Sequence, residues 1–238
     1  MIFLIAAAIA AAAPTTAPVA PPCPNLVTSE AFVCRALAAQ KAGDSSNAAA
    51  AFEQAAQASS DKGAATAGLW AAAGNLWIAA GDPAKAAVAL DKALALPGLV
   101  AEQRGEALLD RARAAEAQND LVTARTKLNE AAASISKDPF YWYFSAALYL
   151  REQNGQAAQA AIGEALTLAP ADPTILFEAG HVADFTGDQA QARSYWARAA
   201  AGDREGPVGK AAAKAIEMLG VTPSVKTEAV PPKTQPKS

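Results

Sequence analysis

Three side chains that can hold a metal or a proton follow one another at three-residue intervals: Glu178, His181 and Asp184. On a helix this spacing places them along one face. Such a set can bind a divalent cation, or its carboxylates can hydrogen-bond the histidine and tune its charge near neutral pH. His181 is the only histidine, which leaves little for metal chemistry. We therefore expect a histidine hydrogen-bonded to a carboxylate, with no metal and no cofactor.

The two cysteines, Cys23 and Cys34, are eleven residues apart. In an oxidising compartment they suffice for one disulfide, which would tie the segment before the first helix to that helix. The alternative is two unpaired thiols, one of them packed as a small apolar side chain. We predict the disulfide, because the N-terminal residues indicate export.

Local motifs of common catalytic sites are missing: the sequence has no G-x-S-x-G, P-loop, G-x-G-x-x-G or C-x-x-C. Its 20 basic and 23 acidic residues give a net charge of −3, so no basic surface is available to neutralise several phosphates. We predict that the protein is not an enzyme and does not bind nucleic acid.

The N-terminal residues resemble an export signal. Ile2 to Ala13 is an uncharged apolar run, too short to span about 30 Å of hydrocarbon but of the length of a signal-peptide core. No Lys or Arg precedes it, so a basic n-region is lacking. Cys23 follows two prolines, which fits a lipoprotein signal poorly. We predict a signal peptide with a Pro/Ala-rich leader over residues 1–22, a periplasmic location, and no stable membrane insertion after cleavage.

The C-terminal residues 222–238 have almost nothing to bury, and we predict a disordered tail rich in proline and lysine. We expect a solvated linker; contact with an anionic polymer of the cell envelope is the alternative. The folded domain is predicted over residues 23–221.

An internal repeat organises this domain. Hydrophobic residues make up 52% of the chain but aromatic ones only 6%, because alanine dominates, which favours closely packed helices. Five segments share a pattern of small, large and small residues at offsets of four and three, which places all three on one helix face. They are Ala48/Phe52/Ala55, Ala86/Leu90/Ala93, Ala124/Leu128/Ala131, Ala158/Ile162/Ala165 and Ala192/Trp196/Ala199.

A turn signal precedes each segment. Gly or Asn can take the left-handed conformation that ends one helix, and Asp can cap the next. Each unit is therefore predicted to be a helical hairpin. The signals are Gly43-Asp44, Gly81-Asp82-Pro83, Asn119-Asp120, Asn154-Gly155 and Gly187-Asp188, and Asp138-Pro139 and Asp172-Pro173 repeat the cap before later first helices.

The second unit, Trp70-x2-Ala73-Gly74-x2-Trp77 followed by Ala86, Leu90, Ala93 and Pro97, resembles a tetratricopeptide repeat of an exported bacterial protein. The other units place Phe32, Leu108, Trp142 and Leu176 in the column of Trp70. The resemblance covers about residues 29–201. It implies an all-α, right-handed solenoid of about five hairpins, closed by a C-terminal capping helix over Val208 to Leu219.

The resemblance also implies that the first helices line a concave groove for a peptide or partner protein. For Phe140 and Tyr143, contact with a ligand and packing between repeats remain open. A carboxylate-binding arrangement is not expected, because Ala71, Asp110 and Ala117 replace the lysines and asparagine that it needs. The residues predicted to face the groove are Asn75, Arg113, Glu116, Phe140, Tyr143, Leu150, Phe177, His181 and Asp184.

Two functions follow as expectations. The first is a monomeric adaptor of the bacterial cell envelope, with a protein or peptide anchored in the groove by large side chains and oriented by Arg113. The alternative is a self-associating structural protein whose groove holds its own tail or another copy. A small molecule or glycan chain would rest on the aromatic residues 140–144 alone.

Overall fold

A computed structural model describes residues 23–219 of the chain, and the predicted signal peptide and tail lie outside these residues. The described part consists of helices joined by short connections, and none of its helices is both long and apolar enough to cross a membrane. The helices are α1 (Ser29–Lys41), α2 (Ser45–Ala58), α3 (Ala64–Ala79), α4 (Pro83–Ala95), α5 (Ala101–Ala117), α6 (Leu121–Ile135), α7 (Pro139–Arg151), α8 (Gly155–Leu168), α9 (Pro173–Phe185), α10 (Gln189–Gly202) and α11 (Pro207–Leu219).

The helices pair into five antiparallel hairpins that stack in chain order. Each odd-numbered helix from α1 to α9 packs on the helix that follows it, and each hairpin packs on the next. The odd-numbered helices α3, α5, α7 and α9 also contact one another in sequence, so they form one wall of the stack. Helix α11 covers α10 and the end of α9 as the predicted cap, with Ile216 and Leu219 against the last core cluster. The predicted all-α solenoid is confirmed.

The repeated small–large–small pattern forms the core of every hairpin. All fifteen residues of the five segments are buried, and none exposes more than 8% of its surface. They lie on the even-numbered helices, on the face that meets the preceding helix. Since alanine leaves room for a neighbouring backbone and the large residue fills the space between, this face sets how closely each hairpin closes.

A small residue stands sixteen positions before each large one: Ala36, Gly74, Ala112, Ala146 and Gly180. A Cβ added to Gly74 would lie 2.4 Å from Cγ of Leu90, and one added to Gly180 would lie 2.2 Å from Nε1 of Trp196. At both glycines the helix backbone therefore contacts the large residue of the same hairpin directly, and no side chain would fit between them.

Side-chain caps fix where the helices begin. Asp44, Asp82, Asp120 and Asp188 each accept a hydrogen bond from a backbone N–H in the first turn of the next helix, at 2.9–3.1 Å. The residue before each of these caps has positive φ, as predicted. The prediction for the fourth hairpin is wrong by one position.

In that hairpin Gln153, with φ 60°, takes the left-handed conformation. Asn154 is the cap instead, accepting from the N–H of Ala157 at 3.1 Å, and Gly155 begins the helix. An amide oxygen caps a helix about as well as a carboxylate does. Asn154 therefore takes the cap position, and the left-handed residue falls one position earlier than predicted, at Gln153.

A disulfide joins Cys23 to Cys34 and fixes the segment that precedes α1. Their Cα atoms are 5.7 Å apart. Arg35 adds hydrogen bonds from its guanidinium to the carbonyls of Pro24 and Leu26. The segment thus lies along α1, the outermost helix of the stack.

Reduction of this disulfide is expected to lower the free energy of unfolding by about 2 kcal/mol, because it frees a loop of about a dozen residues in the unfolded chain. Urea unfolding with and without reductant measures the change. A thiol reagent should find no free thiol in denatured, unreduced protein and two after reduction. Two reactive thiols before reduction would contradict the disulfide.

Candidate functional site

The wall of odd-numbered helices contains a cavity of about 740 Å³. Three consecutive first helices, α5, α7 and α9, supply nearly all of its lining, and α3 adds Ile78. The cavity therefore spans three repeats, as a continuous groove would. We call it the groove, lined by Ile78, Leu109, Arg113, Glu116, Ala117, Phe140, Tyr143, Phe144, Ala147, Leu148, Leu150, Arg151, Glu178, His181, Asp184 and Phe185.

Seven of the nine residues predicted to face the groove line it: Arg113, Glu116, Phe140, Tyr143, Leu150, His181 and Asp184. The other two lie elsewhere. Asn75 lines a smaller neighbouring cavity and donates a hydrogen bond to Asp110 at 2.8 Å. Phe177 packs against the core cluster of the last hairpin, with its ring centre 4.5 Å from that of His181.

Aromatic and aliphatic side chains form the apolar part of the groove. Phe140 and Phe185 remain 49% and 44% exposed although both line it. Tyr143 meets Phe140 edge to face, with ring centres 5.5 Å apart. Leu109 and Leu150 come from neighbouring helices. Exposed rings gathered around one cavity are typical of a surface that receives another apolar group.

Both arginines of the groove already have carboxylate partners. Arg113 pairs with Asp110 at 2.8 Å, and Arg151 pairs with Glu116. Arg151 also donates to the side chain of Asn119 at 3.0 Å. Consequently each positive charge is balanced within the wall itself.

The acidic groups of α9 differ from these paired acids. Within residues 23–219, Glu178 and Asp184 form no ion pair with a lysine or arginine. Burial raises the pKa of the Glu178 carboxyl to about 7. Burial also raises the pKa of Tyr143, and the nearby negative charge of Glu178 adds to that rise. The α9 side of the groove is therefore electronegative once Glu178 is ionised, above about pH 7.

Several solved structures have the same architecture as this chain. PilW, a widely conserved type IV pilus biogenesis factor, is 18% identical, with a TM-score of 0.62 over 77% of this chain and 81% of PilW. YrrB, a tetratricopeptide protein with an unusual peptide-binding site, is 15% identical, with a TM-score of 0.53 over 78% of this chain and 92% of YrrB. The chain has the tetratricopeptide repeat fold.

A further tetratricopeptide repeat protein, from Parabacteroides merdae, is 14% identical, with a TM-score of 0.60 over 81% of this chain and 73% of that chain. Neither a protein-family model nor a curated protein matches the sequence. At these identities the likeness concerns the fold, and the site must be argued from the residues of this chain.

His181 is held inside the tetratricopeptide stack by two aromatic rings, at centre distances of 4.5 Å to Phe177 and 5.4 Å to Trp196. Burial lowers the pKa of His181, and Asp184 opposes that shift. Among residues 23–219, no three His, Cys, Asp or Glu side chains are placed to hold a metal ion. The lowered pKa favours the neutral form of the ring, and the side chain of His181 lines the groove.

The aromatic run at 140–144 divides around its tetratricopeptide helix. Tyr141 and Phe144 are buried in the core, whereas Phe140 is exposed at the groove. Trp142, predicted for the core column, is only half-buried. Its indole N–H donates to the carbonyl of Ser136 at 2.8 Å, which keeps the ring at the edge of the core, beside the connection between α6 and α7.

Nine lining residues were not among the predicted groove residues, and three of these nine carry a charge or an exposed ring: Arg151, Glu178 and Phe185. Two had a signal in the sequence, since Glu178 and Phe185 lie three and four residues from His181 and share its helix face. The third, Arg151, lies eleven residues from Phe140 and shares its face of α7. Its pairing with Glu116, one repeat earlier in the stack, depends on how far one hairpin rotates on the next.

Proposed function

We propose that this protein is a protein-interaction adaptor that binds a peptide segment or a partner protein in the groove. The observation that supports this most directly is a cavity of about 740 Å³ in which Phe140 and Phe185 stay exposed. Cavities of about 300–1,000 Å³ with apolar walls and few polar groups are typical of ligand sites. The proposed role is binding rather than catalysis.

The way the groove is built also favours an extended ligand. It draws side chains from three successive first helices, so a segment lying across them would meet one helix after another. Exposed rings at α7 and α9 would anchor large apolar side chains of that segment. YrrB, which shares the fold, has a peptide-binding site, and this supports a peptide as the ligand class.

We further propose that the adaptor works as a monomer in the periplasm. The disulfide between Cys23 and Cys34 fits an oxidising compartment. The apolar residues before Ala13 fit an export signal. PilW, which shares the fold, is a pilus biogenesis factor and thus supports a role in the cell envelope.

Truncation of Phe140 to alanine tests the groove. Peptides are first selected by the wild-type protein from a random twelve-residue library displayed on phage. We expect Phe140→Ala to bind the selected peptides at least tenfold more weakly, because it removes an anchoring ring. Since Phe140 is 49% exposed, its loss should leave thermal unfolding nearly unchanged. Fluorescence anisotropy with labelled peptide measures the affinity.

The matched control is Leu37→Ala. Leu37 is 53% exposed and lies on α1, which contributes nothing to the groove lining. The control should bind the selected peptides like the wild type. Equal affinity of the wild type and Phe140→Ala, or the absence of any selected peptide, would refute the proposed function.

A further inference from the structure

The last described residues lie beside the groove. Met218 and Leu219, at the end of α11, line a small cavity of about 290 Å³ together with His181 and Asp184. The same His181 and Asp184 line the groove. The chain therefore leaves the described fold at the α9 edge of the groove, and residue 220 starts from there.

The charge of the following segment complements that edge. Residues 222–238, the tail, contain Lys226, Lys233 and Lys237 but only one acid, Glu228. On the groove side, Arg113 and Arg151 already have carboxylate partners, whereas Glu178 and Asp184 form no ion pair with a basic residue within 23–219. The open charges of the groove are therefore negative, and those of the tail are mainly positive.

The tail is also long enough. Lys226 is seven residues beyond Leu219, a reach of about 24 Å in an extended chain. Glu178 and Asp184 are six residues apart on α9, about 9 Å along the helix axis. Lys226 can thus reach either acid from the end of α11 with length to spare, and Val225 beside it supplies an apolar side chain.

We propose that the tail of this chain occupies its own groove, with its lysines paired to Glu178 and Asp184. This inference rests on the proposed function of the groove and adds its regulation. A segment tethered to its site competes at an effective concentration of about millimolar, so contacts with an intrinsic dissociation constant below about a millimolar keep the site mostly covered. A partner peptide must displace the tail before it can bind.

Zero-length cross-linking of the full chain tests this arrangement. A carbodiimide joins a lysine amine to a carboxylate only where the two are in contact, and mass spectrometry identifies the joined residues. We expect links from tail lysines to Glu178 or Asp184. The double variant Glu178→Gln, Asp184→Asn should lose them. The control variant Glu164→Gln, which changes an exposed acid on α8, should retain them.

An equal mixture of ¹⁵N-labelled and unlabelled chains identifies whose tail is bound. Links within one chain carry a single isotope, and this is the expected result. Mixed-isotope links would show that the groove takes the tail of a second copy and would overturn the proposal. Absence of tail links to the α9 acids would overturn it as well.

Peptide binding separates this inference from the proposed function. Replacing Lys226, Lys233 and Lys237 with glutamate should strengthen binding of the phage-selected peptides about fivefold, because the competing tail is repelled from the groove. If affinity is unchanged while Phe140→Ala still weakens binding, the tail inference fails and the proposed function stands. If no peptide binds the groove, the proposed function itself fails.

Discussion

Replacing Gly180 with alanine is expected to lower the free energy of unfolding by about 3 kcal/mol, at the upper end of the cost of overpacking a core. The added Cβ would lie 2.2 Å from Nε1 and 2.3 Å from Cδ1 of Trp196. The ring cannot move aside easily, because its N–H donates to the carbonyl of Phe177 at 3.0 Å. Urea unfolding followed by tryptophan fluorescence measures the change, and the melting temperature should fall by about 8 °C.

The same substitution at Gly163 is the matched control. Gly163 lies inside α8, is exposed, and has open space where a Cβ would go. Alanine there should stabilise the helix by about 0.5–1 kcal/mol, because glycine has the greater backbone entropy to lose. A loss of stability on substitution of Gly180, together with a gain on substitution of Gly163, would show that the contact with Trp196, and not helix propensity, determines the result at Gly180. Destabilisation of similar size at both sites would contradict the explanation.

A second substitution should partly restore the Gly180→Ala variant. The third hairpin pairs Ala112 with Leu128 at the equivalent positions, so Trp196→Leu combined with Gly180→Ala recreates a pair that the fold already contains. Trp196→Leu alone leaves a cavity against Gly180. The loss of unfolding free energy in the double variant should therefore be smaller than the sum of the losses in the two single variants. We expect a difference of about 1 kcal/mol or more, which is typical of residues in contact.

The repeated core was predictable because it depends on local geometry. Offsets of four and three place Ala192, Trp196 and Ala199 on one helix face, and all three are buried. The caps are equally local, since an Asp side chain satisfies backbone N–H groups within its own first turn. Such features need no knowledge of neighbouring hairpins, and the fold class followed from them.

What could not be predicted depends on contacts between elements. Trp142 shares a column with Trp70, yet only Trp70 is buried, because the indole of Trp142 bonds to the connection that precedes α7. Phe177 was assigned to the groove from its helix face, but it packs beside His181 and the last core cluster. Periodicity gives the face of a helix; the neighbouring helices determine what covers it.

The pKa of Glu178 likewise could not be predicted from the sequence. The sequence places it on the face of His181, but its shifted pKa arises from burial, which depends on how α7 and α9 close around it. Other charged or titratable groups of the groove are Arg113 and Glu116 on α5, Tyr143 and Arg151 on α7, and His181 and Asp184 on α9. Burial remains the cause of the shift, and it disfavours the ionised carboxylate.

In a chain whose Lys226, Lys233 and Lys237 are replaced with glutamine, Glu178→Gln is expected to stabilise the protein at pH 8 by about 3 kcal/mol and to have little effect at pH 4. The pKa of this carboxyl rises from 4.5 to about 7 in the folded protein. The folded state thus binds the proton more tightly than the unfolded chain, and the wild type loses stability as pH rises from 4.5 to about 7. Glutamine does not ionise and avoids that loss. Urea unfolding across this pH range measures the difference between the two proteins.

The tail lysines set the proper background for this measurement. A lysine paired with Glu178 would lower the pKa of the carboxyl and reduce the gain from glutamine. We therefore expect the full gain when Lys226, Lys233 and Lys237 are replaced with glutamine, and a smaller gain in the chain with its natural tail. Asp184→Asn is the control, because Asp184 is exposed and its substitution should not reproduce the gain at pH 8. A pH-independent effect of Glu178→Gln would show that lost or gained packing, rather than ionisation of a buried carboxyl, explains the change.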